Sequence, residues 1–406
     1  MVRKSTNRRL LTWGFVVFLI SFALASAGNA QVKKEAKKDT KKAKKGDTKA
    51  QFVQLAWPEP PETPRIKFTD ILASDLDVGR KVTGKESFRR FLTGEKPQLS
   101  HIYQPRDVVV SDDGKRIYAS DFGAAVVFVF DREAKKIIKM PASYPFGLAL
   151  DDQENLYIAE EDNRRILVFD RAGNNIRTIT HEKLIRPTDI TIDRARNRLY
   201  VADPAKKDSP EHSVKIFDLE GNLLGTIGKG KGECQGCLFF PTYVAVDKDG
   251  NVYVTSTLSS KVVVFDLNGN YLRDIGHRGD GFGMFDKPKG VALDSFGNVY
   301  VVDSGWSNVQ IFNPQGEVLL FFGGRGDYPG LLKNPTGITI DKNNNIYVAD
   351  FLNYRVTVYQ LVNTKAEDSY VKLPDAGDVP EKTVIADQKQ SIGKNEVSRV
   401  NAEPNK

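Results

Sequence analysis

The stretch PKGVALDSFGNVYVVDSGWSNVQIFNPQGEVLLFFG, residues 288–323, decides the fold. Four short apolar runs lie within it: Val291–Leu293, Val299–Val302, Val309–Phe312 and Val318–Phe322. Each is bounded by Gly, Asn or Asp, the pattern expected of strands separated by turns. Asn313-Pro314-Gln315-Gly316 supplies the glycine that tight hairpins favour, and Asp266-Leu267-Asn268-Gly269 does the same one unit earlier.

Outward from this stretch the pattern recurs. It begins with Pro, passes through an apolar run ending at or near Asp, turns, and continues as apolar-Tyr-apolar. Six copies open at Pro105, Pro145, Pro187, Pro241, Pro288 and Pro335, with tyrosines at 118, 157, 200, 253, 300 and 347. Four strands in roughly 45 residues, six times over, predict an all-β, six-bladed propeller of four-stranded antiparallel blades. A single such blade cannot cover both of its faces, whereas a ring of six buries each against its neighbours. From Pro105 onward no stretch has the 3.6-residue periodicity of a helical solenoid. The sixth unit lacks a fourth run, so the ring needs a donor strand. Arg65 to Leu72 is the expected donor, and Val371 to Leu373 the competing one.

The chain has 406 residues and a formal net charge of +7. The charge is uneven. Residues 1–50 hold 13 of the 59 lysines and arginines but only three of the 52 acids, so the remainder is slightly acidic. The basic balance therefore does not point to a nucleic-acid-binding fold, which would carry its positive patch on the folded surface. Residues 1–30 read as a signal peptide or N-terminal membrane anchor. Basic Arg3 to Arg9 precede the apolar stretch Leu10 to Ala27 and small residues suited to cleavage. Cleavage is the preferred reading, and export by the general or the twin-arginine route is left open. Residues 31–50 form a Lys-rich arm, Lys33 to Lys49, read as a disordered linker and as a candidate for adhesion to an anionic surface. Residues 51–64 read as a Pro-rich extended segment, 65–361 as the propeller, and 362–406 as a polar disordered tail.

The units resemble NHL repeats, most plainly in Pro335-Thr336-Gly337-Ile338-Thr339-Ile340-Asp341 through Asn345-Ile346-Tyr347-Val348-Ala349-Asp350. The resemblance covers roughly residues 65–360, and the layout is similar to that of bacterial exported NHL-repeat propellers. It implies a scaffold that binds a ligand or partner. In eukaryotic relatives of this kind the propeller binds RNA or protein, and ubiquitin-ligase chemistry belongs to a separate RING domain. The sequence holds no set of Cys and His that could form one.

In a four-stranded blade the loop after the second strand and the linker to the next blade share one face. That face is expected to gather Asp121, Glu160, Asp203, Ser256, Asp303 and Asp350 with the long linkers 228–240, 276–287 and 323–334. The carboxylates have two readings: each holds its own turn by accepting backbone N–H bonds, or together they form an anionic rim for a cation or a basic ligand. Arg278 and Arg325, each within an Arg-Gly-Asp tripeptide dictated by the repeat, are candidates for a ligand-facing surface. Cys234 and Cys237 are expected to form a small disulfide staple in an oxidising compartment, with redox or metal chemistry as alternatives. Leu238 follows Cys237 where a c-type haem site would need His.

The four histidines, His101, His181, His212 and His277, occupy unrelated places in their units and do not suggest a shared zinc site. No Ser–His–Asp order, P-loop or His-Glu-x-x-His motif occurs. The resulting expectation is an exported, non-catalytic binding or scaffold protein of the periplasm or cell envelope, possessing no cofactor motif. Its expected partner is a protein or an extracellular polymer. The runner-up is a metal-dependent propeller enzyme of the lyase or lactonase class, holding an ion such as calcium near the axis.

Overall fold

The computed structural model describes residues 55–365 except residue 233. The expectations for residues 1–54, for the alternative donor at 371–373 and for the tail beyond residue 365 lie outside the described residues. Among those described, no helix is long and apolar enough to cross a membrane.

Six antiparallel sheets radiate around an axis. Their inner strands are Pro105–Val110, Pro145–Leu150, Asp189–Asp193, Pro241–Val246, Pro288–Leu293 and Pro335–Ile340. Each inner strand packs against those of the two adjacent blades, and the sixth packs against the first. Five blades run through four consecutive strands. The sixth is completed by Ile66–Leu72, which pairs antiparallel with Arg355–Leu361. Ile66 and Leu72 are fully buried there.

The core is divided among six apolar clusters, each combining residues from two adjacent blades. This explains why the second strands read as continuous apolar runs. Val299–Asp303 is buried at every position because both faces of the sheet are covered. Hydroxyls add polar ties across the seams. Thr336 Oγ1 donates to the Pro105 carbonyl and Thr257 Oγ1 to that of Pro288.

The Asp-to-Tyr pairing within the repeat has a structural cause. The aspartate that ends the inner strand accepts from the backbone N–H four residues on and from an Asn side chain, as Asp247 does from Asn251. The tyrosine of the second strand donates its hydroxyl back to that carboxylate at Asp247, Asp294 and Asp341. Burial, followed by the carboxylate's charge, pushes the Tyr253 and Tyr347 phenols up to about 12.

Two elements differ from the sequence reading. The Pro-rich segment is a turn rather than an extended spacer. Ala56–Trp57 doubles back to pair with Ile66 and Lys67, making the sixth sheet five-stranded. Trp57 is the reason: its ring packs on Phe322 and Tyr359, at 6.1 and 5.8 Å. The connection from the closing strand to the first blade also contains an α-helix, α1 (Gly84–Thr93), beside the otherwise all-β architecture.

Candidate functional site

The repeated carboxylates at the ends of the second strands do lie on the linker side, but Asp121, Glu160, Asp203, Asp303 and Asp350 are completely buried. They do not form an open rim. Each accepts backbone N–H groups from the linker entering its own blade: Tyr103 and Gln104 for Asp121, Ser143 for Glu160, Ile185 and Arg186 for Asp203. Asp303 accepts from Asp286 and Lys287, and Asp350 from Lys333. Ser256 does the same in the fourth blade, its hydroxyl accepting from Phe239 N. These part-buried donors have no place in a sheet ladder, and the carboxylates supply their acceptors. The bonds reach 16 to 18 residues upstream, beyond the residue's own turn, and so set where each linker enters its inner strand.

Arg278 and Arg325 are exposed and equivalently placed on this face. Arg278 donates to the Leu258 carbonyl and Arg325 to that of Gly305, each tying a linker to the preceding blade's turn. Cys234 and Cys237 form a disulfide inside the linker 228–240. Closing so short a loop contributes about 2 kcal/mol on the chain-entropy model.

The axis holds a second group of residues that sequence reasoning missed. The third residue of the six opening triplets is Asp107, Gly147, Asp189, Tyr243, Gly290 and Gly337. Where it is glycine, the inner strands approach too closely for a side chain. A Cβ on Gly337 would lie 2.7 Å from the Asp107 Cα, and one on Gly147 would lie 2.4 Å from that of Asp189. Where it is aspartate, the side chain ties the next blade. Asp107 Oδ2 accepts from Leu148 N at 2.8 Å, and Asp189 Oδ2 from Val244 N at 2.9 Å. Burial pushes the Asp107 carboxyl up to about 7. Burial, then the nearby Asp107 charge, raises Asp189 well above the usual carboxylate range. Tyr243 crosses the axis, its hydroxyl donating to the Arg106 carbonyl of the opposite blade at 3.0 Å. A cavity of about 240 Å³ is lined by these three side chains and the inner strands.

One residue nearer the linker face the axial mouth is cationic. The Arg106 guanidinium is set among the rings of Phe122, Phe146 and Phe351, at 5.0, 5.1 and 4.7 Å from their centroids. Its Nε has no hydrogen-bond partner, and Arg106 has no ion pair among the described residues. Lys289 belongs to the same mouth. Burial, then the charges of Arg106 and Lys287, lower its ammonium to about 8. The available signal was the repeat alignment itself: Arg106 and Lys289 stand where three other triplets carry threonine.

Among the described residues no group of three or more His, Cys, Asp or Glu side chains is arranged to hold a metal ion. Asp107 and Asp189 form a pair, each with one oxygen already bonded to the neighbouring backbone.

The NHL repeat family model matches residues 332–359. The chain is 26% identical over 137 residues to the protein brain tumor of Drosophila melanogaster. It is 25% identical over 130 residues to the B-box type zinc finger protein ncl-1 of Caenorhabditis elegans. Each match covers 32% of this chain, but the chain spans only 12% and 15% of those curated relatives. Among solved structures, a gluconolactonase from Xanthomonas campestris superposes with a TM-score of 0.51 at 18% identity, covering 64% of this chain and 86% of that one. At that identity the likeness concerns the fold alone. The repeated Pro-to-Asp and Tyr-to-Asp units and the closed ring of six blades agree with the match: the chain is a six-bladed β-propeller whose sixth unit fits the NHL repeat model and whose other units are similar to it.

Proposed function

We propose that this protein is an exported binding scaffold that presents its linker face to an anionic partner, a protein or polymer of the cell envelope. The observation that carries this reading is the axial mouth. Arg106 is fixed by three aromatic rings with no carboxylate ion-paired to it among the described residues, and the Lys289 ammonium, within reach of the Arg106 charge, is disfavoured by burial and by like charge. A carboxylate or phosphate entering the mouth would relieve both. Exposed aromatics on linkers and turns of the same face, Phe282, Trp306, Tyr328 and Tyr354 among them, suit a contact surface around that anchor. Export rests on residues 1–30, and adhesion through the Lys-rich arm rests on residues 31–50.

The test is capture from the native envelope fraction by the full chain, by a chain lacking residues 31–50, and by Arg106→Gln and Lys289→Gln variants. The wild-type chain is expected to retain an acidic partner that both point variants lose by tenfold or more while their melting temperatures stay within a few degrees. Equal capture by wild type and both variants would remove the mouth from the account.

The second reading, a metal-dependent propeller enzyme, is favoured by the buried pair Asp107 and Asp189 in the axial cavity. It predicts a stoichiometric divalent cation in the purified protein that disappears in Asp107→Asn.

A further inference from the structure

Helix α1 is built to be a helix yet buries none of its side chains against the other described residues. Thr83 and Glu86 close a reciprocal capping box at its start, and Gly94, left-handed at φ 74°, ends it with a bond to the Arg90 carbonyl. A ten-residue helix is marginal in water without a surface to pack against. None of its residues is buried. Phe88, Phe91 and Leu92, spaced to share one face, are 61%, 82% and 64% exposed.

The surroundings say what kind of surface would cover that face. The helix carries Lys85, Arg89 and Arg90, and Arg80, Lys81 and Lys96 flank it. Its one acid, Glu86, is held by Arg80 at 2.6 Å, and the next, Glu95, by Arg89 at 2.8 Å. The turn just before the helix, Asp75–Val78, packs on the first blade's outer strand, where Asp75 Oδ1 accepts from Ile137 N. That strand and its approach expose Lys135, Lys136 and Lys139. An apolar face on so cationic a segment, with Lys85 and Arg89 along its flank, is poorly matched to a second copy of itself, because a two-fold interface would set those cations against their own copies. The Lys-rich arm of this chain is a poor cover for the same reason. Aromatic and leucine side chains on one face with lysine and arginine around them match the boundary of an anionic bilayer.

We propose that helix α1 is a membrane-surface contact, inserting Phe88, Phe91 and Leu92 among the acyl chains of an anionic bilayer while its lysines and arginines meet the headgroup phosphates. This contact is independent of the axial mouth and would orient the propeller relative to the membrane.

The test uses the full chain with an environment-sensitive nitrobenzoxadiazole fluorophore attached through Leu92→Cys, the native disulfide left intact, and a control label through Lys206→Cys, an exposed position in the third blade, across the ring from the sixth. Vesicles of phosphatidylcholine with a quarter phosphatidylglycerol are expected to blue-shift and brighten the label at position 92, and brominated acyl chains to quench it. Phosphatidylcholine alone should leave it unchanged, as should either vesicle for the control label. Phe88→Ser with Phe91→Ser, a pair of exposed positions whose change leaves the core untouched, should reduce the shift at least tenfold. The proposal is overturned by an unshifted spectrum on anionic vesicles, by an equal shift on neutral ones, or by a shift at the control position. It is also overturned by a label already blue-shifted before lipid is added, which would assign the face to a protein surface.

Discussion

Asp303 accepts four backbone N–H groups, two from the incoming linker and two from Gly305 and Trp306 in its own turn. Asparagine in its place would offer one carbonyl and turn an N–H₂ toward donors. Asp303→Asn is therefore expected to cost about 2–3 kcal/mol, the usual worth of charge-assisted bonds to a buried group, read as a lower urea midpoint, with capture of the envelope partner unchanged. Asp107 sets a pH dependence of definite sign. Its folded-state value of about 7 lies above the ordinary 3.8, so between those pH values the folded protein keeps a proton that the unfolded chain has released. The stability tied to that proton is complete below about pH 4 and is lost as pH rises through 7. The urea midpoint should fall from pH 5 to pH 8, and Asp107→Asn should flatten the fall; a midpoint that rises with pH in the wild type would contradict the burial argument. At this scale the recurrence of the carboxylates was legible and their direction was not. Spacing reveals that Asp121 or Asp350 closes a strand, but a linker 17 residues upstream approaches it only once the blade has folded.

The closing strand is the element on which the ring depends. Ile66–Leu72 pairs with Arg355–Leu361 along its whole length and fills two seams with Ile66 and Leu72. Deleting residues 1–54 should leave cooperative unfolding intact. Extending the deletion through Leu72 should abolish it, because the sixth blade would keep an unpaired edge and lose the apolar cover of both neighbours; circular dichroism melts and limited proteolysis distinguish the two. The donor could be anticipated because the sixth unit visibly lacks a strand while an apolar run waits before the first. Helix α1 left equally local marks, Thr83-x-x-Glu86 followed by Phe88, Phe91 and Leu92, but they sit in a connection between blades, where the dominant repeat draws the eye past them. The Pro-rich turn left no such mark. Its reversal depends on Trp57 finding Phe322 and Tyr359, residues some 260 to 300 positions away.

At the scale of the whole molecule, the ring converts a local repeat into an axis, and the axis is where the units stop being equivalent. Glycine, aspartate and tyrosine alternate at one structural position, so the same backbone gives close contact in one seam, a carboxylate tie in another and a bar across the middle in a third. The linker face around the mouth and the uncovered face of α1 are separate surfaces with separate tests, and a variant that loses one should retain the other.

The amino-acid sequence alone determined the number of blades, the four strands in each and the strand that closes them. Those follow from periodicity and turn chemistry, which act between residues close in the chain. Only the tertiary structure decided that the rim carboxylates are internal fastenings, that the Arg106 charge comes within reach of Lys289, and that Phe88, Phe91 and Leu92 are left uncovered. Each of these depends on burial and on charges brought together from distant blades, and neither is a property of a residue's sequence neighbours.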